Sequence, residues 1–323
     1  MRTYQLRADL QRHSLSGFQL PLGLEPTEDI APREGYTVEY VATEDMDVPD
    51  TLRFSVAASF EKVARLVRDL FELLPDDVYP VVEASSKDAY RMVDVFSARE
   101  ALPFDDFMEG WNEYQQIILE DGAIGAGAQA DDPYMEVFVD SWKVIEVQVP
   151  PEMRPDVERI LDLHGVHEVD HTWPPEVTER PDPPMQVREV LVVEDEGYPD
   201  IDEILFQLRE VWELELEMDP DQNLDDQGRR MGRTLWHAIA VVETPQDEEP
   251  PRAAYALVWA TAGSLGELQR MVEARMEEQD EWVFHGQWYT LDRVAYDERP
   301  DALADLPPRR LRSEIHMFAI EPA

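Results

Sequence analysis

Apolar positions along this chain fall into two periods, and the periods alternate. Leu52, Phe54 and Val56 lie two residues apart, the spacing of a half-buried strand. Phe60, Val63, Leu66, Val67, Leu70, Phe71 and Leu74 then recur three and four apart, lining one face of a helix over 60–74 that Pro75 ends. Strands are predicted over 78–83 and 90–97. A second helix spans about 104–119, between Pro103 and Gly122, and strands follow over 134–139 and 142–149, with Asp140-Ser141 as the turn between them. The order across 51–150 is β-α-β-β-α-β, the split βαβ arrangement.

A later stretch repeats that order. It reads as a strand over 186–193, a helix over 201–211 striped by Ile204, Leu205, Leu208 and Val211, and a strand over 213–218. After a polar loop over 219–233 come strands over 235–242 and 254–260, a helix over 265–276, and a long strand or hairpin over 282–294. Between the two stretches, 151–184 holds a helix over 155–163 closed by Gly165, then a linker dense in proline (Pro174, Pro175, Pro181, Pro183, Pro184). Residues 1–50 are irregular, with strand-like pieces at 2–6 and 36–41, and 299–323 form a tail with a strand over 315–320. Val137-Phe138 precedes Trp142 by the interval at which Val283-Phe284 precedes Trp288, which points to an internal duplication. The expected class is therefore α+β: two ferredoxin-like βαββαβ units over 51–150 and 185–298, with antiparallel sheets and helices on one face of each. Their open faces would meet through Phe138, Trp142, Phe284 and Trp288, within one chain or in a dimer.

Composition supports a folded protein and removes several chemistries. A length of 323 residues exceeds the ~100–150 of a typical domain, in line with two units. Hydrophobic residues make up 43%, with 8 Trp, 11 Tyr and 11 Phe, enough for a core. The absence of cysteine excludes disulfides, zinc–thiolate sites, iron–sulfur clusters and thiol nucleophiles. The first residues lack a signal-peptide pattern, and no window approaches the ~18 apolar residues of a membrane span, so a cytoplasmic location without membrane association is expected.

Charge changes the picture most. Against 71 acidic residues stand 28 basic ones, a net charge of -43, and only Lys62, Lys87 and Lys143 are lysine. Such a chain repels itself unless ions screen it, which they do beyond ~10 Å at 0.1 M salt. The acids are spread over every segment rather than gathered in a stripe. That favours salt adaptation over the alternative of an acidic nucleic-acid mimic that inhibits a nucleic-acid-binding protein. Direct binding to DNA or RNA is not expected, because phosphate contacts need a basic footprint.

Four segments carry candidate chemistry. Asp219, Asp221, Asn223 and Asp225 place oxygen ligands at alternate positions, as a calcium loop requires, but the EF-hand's glycine and bidentate glutamate are replaced by Leu224 and Arg230. The competing account is a solvated acidic loop. His164, His167 and His171 sit with Glu168 and Asp170, side chains suited to zinc, manganese or iron. On a strand His167 and His171 would stand ~13 Å apart, so only His164 and His167, folded across Gly165, can chelate together. The run Gly122–Ala128 follows a helix and precedes a strand, the reverse of a phosphate-cradling loop, and reads as a closely packed strand. Arg229, Arg230 and Arg233 near Trp236 form a candidate anion site, as do Arg309, Arg310 and Arg312, with pairing to neighbouring carboxylates as the plainer account.

No nucleophile–base pattern is present. The sequence reading is a non-catalytic binding or interaction protein, acting on a protein partner or on itself. The alternative is a metal-assisted hydrolase or lyase using 219–227 or the His164/His167 region.

Overall fold

The computed structural model describes residues 4–28, 31–43, 49–172, 185–192, 197–245, 252–279, 281–307 and 312–322. The chain divides into two compact units, Met1–Ser85 with Val95–Leu216 and Ser86–Asp94 with Glu217–Ala323. Both are mixed α+β. Arg309 and Arg310 fall outside the described residues, as does the proline-rich run over 173–184.

The first unit is built on β1 (Gly35–Val41), β2 (Thr51–Ala57), β3 (Asp77–Ser85), β4 (Val93–Ala98), β5 (Ile124–Asp131), β6 (Tyr134–Val139), β7 (Ile145–Val149) and β8 (Leu214–Leu216). They hydrogen-bond in the order β8-β4-β3-β5-β6-β7-β2-β1, with the short piece Leu102–Pro103 added on β3. The helices are α1 (Phe60–Phe71), α2 (Phe104–Glu120), α3 (Arg154–Leu163) and α4 (Ile201–Val211). The apolar stripe of α1 is buried as its spacing predicts: Val63, Leu66, Val67, Leu70 and Phe71 are all at most 1% exposed. Around it Phe71 meets Trp111 edge-on at 4.7 Å, and Phe107 lies 5.3 Å from Trp212.

The elements over 51–150 appear in the expected order, but the ferredoxin-like pairing does not form. In that fold the first strand would lie inside the sheet next to the third. Here two tight connections, at Asp132-Pro133 and at Asp140–Lys143, make β5, β6 and β7 an antiparallel meander that carries the chain back to β2. The meander and β3 stand between β2 and β4, so the first and third strands of the stretch cannot be neighbours. The glycine run is strand, as read: Gly125 and Gly127 lie on β5, where an added methyl would come within 3.0 Å of the Phe138 ring packed over them.

The expected second βαββαβ unit over 185–298 does not form either. Met185–Val187 pairs with Leu24–Pro26, and β8 pairs with β4, so 185–216 belong to the first unit rather than beginning the second. The physical reason is Trp212. Its fully buried ring lies against α2 at Gly110, where a methyl would sit 2.4 Å from the indole Nε1, and its N–H donates to the Phe107 carbonyl at 3.3 Å.

The second unit is then a four-stranded antiparallel sheet of β9 (Thr234–Glu243), β10 (Ala253–Ala262), β11 (Val283–Val294) and β12 (Glu314–Pro322), in the order β11-β9-β10-β12, with α5 (Leu265–Met276). Its core face is made of small residues. Trp236, Ala238, Ala240, Val242, Ala254, Ala256, Val258 and Ala260 are all 0% exposed, and α5 buries Leu268, Val272 and Met276. The two Val-Phe…Trp intervals prove to be different structures: Trp142 lies in the turn between β6 and β7, whereas Trp288 lies within β11 beside a register shift. No helix among the described residues is long and apolar enough to cross a membrane.

Gly110→Ala tests the Trp212 contact. A free helical position would gain about 1 kcal/mol from the added methyl. At Gly110 the methyl must displace an indole in a packed core, which costs about 1–3 kcal/mol. Urea unfolding should therefore show net destabilisation.

Candidate functional site

In the first unit, the segment before β1 is clamped to the end of α2. Arg12 grips the buried Glu120 with both guanidinium arms, at 2.6 and 3.0 Å, and stacks 3.8 Å above the Phe60 ring. Leu22 N–H donates to the same carboxylate at 2.8 Å, and Gln19 N–H donates to Ser59 Oγ at 2.8 Å. This holds Phe18 and Leu20 opposite Phe60, Trp142 and Lys143, around a shallow recess with room for about one water molecule.

Lys143 is one of the three lysines of the chain and is only 4% exposed. The turn from β6 to β7 puts it at φ +64°, a left-handed conformation rare for a residue with a side chain. Asp140 fixes that turn: its backbone exchanges hydrogen bonds with Val144 and Lys143, and its Oδ1 accepts from Val144 N–H at 2.8 Å. The Lys143 Nζ donates to the Ile124 carbonyl at 2.5 Å and to the Asp140 carbonyl at 3.3 Å. Burial pushes the Lys143 ammonium below its ordinary pKa, opposed by the fields of Asp121, Asp140 and Glu120. Burial likewise raises the Asp140 and Asp121 carboxyls above the usual range. Burial thus disfavours the charged form of the amine and of the carboxyls beside it.

The second unit holds a different buried charge. Arg293 on β11 is 2% exposed and donates through its Nε to Asp88 at 2.8 Å, and through one terminal nitrogen to Asn223 Oδ1 at 2.7 Å and the Leu224 carbonyl at 2.6 Å. Its backbone N–H also donates to Asp88, which fastens 86–94 along β11. The neighbouring Asp292 has its pKa pushed up to about 6, first by burial and then by Asp94 and Asp88, against Arg91 and Lys87. On the sheet face opposite the small-residue core, Asp292, His237, Trp259 and Met317 form one cross-strand row, and Thr290, Ile239, Leu257 and Ala319 the next. His237 stacks on Trp259 at 4.4 Å, and burial lowers its pKa.

The sequence-predicted ligands are scattered among other tasks. Asp219 caps its own loop through Asp221 N–H, and Asp225 is held by Arg229 at 2.6 Å. Asn223 turns inward, its amide bonded to Gly232 and Thr234 and its oxygen to Arg293. Among the described residues no three His, Asp or Glu side chains converge as metal ligands. His164 Nε2 lies 2.6 Å from Asp69 and His167 Nδ1 lies 3.2 Å from Asp162, so the two rings face different carboxylates, and His171 is exposed. The arginine group is likewise separated. Arg229 pairs with Asp225, Arg230 bridges to Leu224 through its backbone, and Arg233 reaches Ser313 at 3.1 Å; Arg312 pairs with Glu314. Sequence reasoning missed Lys143, Asp140, Arg293 and Asp88. The one available signal was the scarcity of lysine, which makes any lysine inside an apolar strand region conspicuous.

Comparison with known proteins finds no counterpart: no protein-family model matches the chain, and neither a curated protein nor a solved structure does.

The raised pKa of Asp292 has a stability consequence. A carboxyl whose pKa is higher folded than unfolded favours folding while protonated. Its contribution is therefore complete below about pH 4 and lost as the pH rises towards 6. Asp292→Asn should stabilise the protein at pH 7.5 by about 2 kcal/mol and leave it unchanged near pH 4, measured by urea unfolding at one KCl concentration.

Proposed function

We propose that this chain is a non-catalytic binding protein whose interaction surface is the outer face of its four-stranded sheet, with a second copy of the chain as the occupant. One observation carries the reading. Across β9 and β10 that face presents Ile239, Val241, Tyr255, Leu257 and Trp259, part-exposed rather than buried, flanked on β12 by Met317 at 42% exposure. An apolar centre of this kind on a chain of net charge -43 is a surface reserved from charge.

Charge placement favours a second copy. A twofold axis running along the strands between β9 and β10 lays Ile239 on the partner's Leu257 and His237 on the partner's Trp259, and sets Asp292 beside the partner's Met317. Asp292 and Glu321 lie on opposite edge strands and in different rows, so no two of these carboxylates meet. Aligned sheets pack face to face in this manner at about 10 Å.

The metal-assisted alternative draws less support, because the oxygens of Asn223 and Asp225 are already engaged by arginine. An acidic nucleic-acid mimic needs carboxylates across its binding face, where this face has aliphatic and aromatic side chains.

Sedimentation velocity over a series of KCl concentrations tests the reading. Screening of the net charge should give a dimer at high KCl that dissociates as salt is lowered. Trp259→Glu should be monomeric throughout and should match the wild-type unfolding midpoint at low KCl, where both are monomers. A monomer at every KCl concentration, or a dimer indifferent to Trp259→Glu, overturns the assignment.

A further inference from the structure

We propose that association through the outer sheet face is proton-linked: a second copy binds while Asp292 holds a proton and His237 does not, and is released as Asp292 ionises. This inference rests on the second-copy reading above and adds its regulation.

The strand register places the two groups. His237 on β9 stands directly opposite Asp292 on β11, and the same row continues through Trp259 and Met317. The His237 ring stacks on Trp259 at 4.4 Å, and both His237 and Asp292 are part-exposed in the single chain. A twofold axis along the strands turns this row onto itself. It covers His237 with the partner's Trp259 and sets the partner's Met317 beside Asp292. Each ionisable group then loses water to an apolar side chain that brings no charge of its own. Under such cover an acid or a base is favoured in its neutral form.

The charged groups already around Asp292 do not reverse this. Asp94, Asp88, Arg91 and Lys87 act on it from 86–94. Of these, Arg91 pairs with Asp94, Asp88 is engaged by Arg293 at 2.8 Å, and Lys87 is exposed. On the far side of the row, His316 Nε2 lies 2.8 Å from Thr261 Oγ1, and Glu314 stands opposite Thr261. Tyr255, Tyr289, Glu243 and Glu321 lie towards the other end of the face, with Tyr255 opposite Glu321 and 5.2 Å from Tyr289.

The direction of the effect follows from these surroundings. In the single chain burial, with Asp94 and Asp88 adding to it, pushes the Asp292 pKa up to about 6, and covering the group further raises it again. Above pH 6 the free chain therefore carries Asp292 ionised, and each copy must take up a proton to associate. Below pH 6 the proton is already in place. The contribution of Asp292 to association is thus complete at low pH and lost as the pH climbs past 6. With one proton per copy, the dissociation constant rises by up to about 100-fold per pH unit. His237 acts from the other side. Burial lowers its pKa, the partner's Trp259 lowers it further, and association weakens as the pH falls and the imidazole becomes charged. The tightest dimer forms near pH 6.

Sedimentation equilibrium at one high KCl concentration, at pH 6.0, 6.75 and 7.5, tests the linkage. The wild-type dissociation constant should rise at least about tenfold across this range. Asp292→Asn, which cannot ionise, should stay dimeric at pH 7.5 with a nearly flat profile. Calorimetric dilution of the wild-type dimer at pH 7.0, in two buffers of different ionisation enthalpy, counts the protons directly and needs no variant. Between one and two should be released per dimer. A dimer with a flat wild-type profile, one whose pH dependence survives Asp292→Asn, or dissociation without proton release overturns the linkage and leaves the second-copy reading standing. A monomer at every pH and KCl concentration overturns both.

Discussion

Self-repulsion is the constraint to which the rest of this structure answers. With 71 carboxylates against 28 cations, any acid taken into the interior must be matched by a scarce positive group or keep its proton. Both solutions appear among the described residues. Asp88 is matched by Arg293, with both side chains at most 2% exposed. Glu120 is matched by Arg12, which ties the segment before β1 to the end of α2. Asp140 and Asp121 lie near a lysine too buried to be a full counter-ion, and their carboxyls move towards the protonated form.

The same constraint shapes the second unit. Its sheet presents mainly small residues to α5, with Trp236, Trp288 and Arg293 among the large side chains on that face. The opposite face keeps its aliphatic and aromatic residues together, with acids at the edges. A surface otherwise so heavily acidic makes this the part of the unit where contact with another molecule costs least in desolvated charge.

Much of the fold was legible locally. The helices over 201–211 and 265–276 occur at their predicted limits, and the strands at 134–139 and around 235–242, 254–260 and 283–294 are present. What misled was the inference from element order to pairing. Repetition of β-α-β-β-α-β suggested two equal units, whereas the hairpins after Asp131 and Val139, and the fit of Trp212 at Gly110, assigned the strands differently. The candidate sites failed for a related reason. Among so many carboxylates, closeness in sequence says little about which side chains share a centre: Asp225 turns to Arg229, whereas Asn223, two residues before it, turns inward to Arg293.

The sequence by itself determined the class of the protein, the extent of its main helices and strands, its lack of thiol chemistry and its charge. These follow from periodicity and composition, which act over a few residues or over the whole chain. Only the tertiary structure decided which lysine is buried, which arginine is the interior counter-ion, and that 185–216 complete the first unit. Those outcomes rest on contacts between residues far apart in sequence: Lys143 with Ile124, Arg293 with Asp88, Arg12 with Glu120, and Trp212 with Gly110. No local pattern encodes them, because each depends on the strand order that the meander imposes or on one side chain fitting a space that another leaves open.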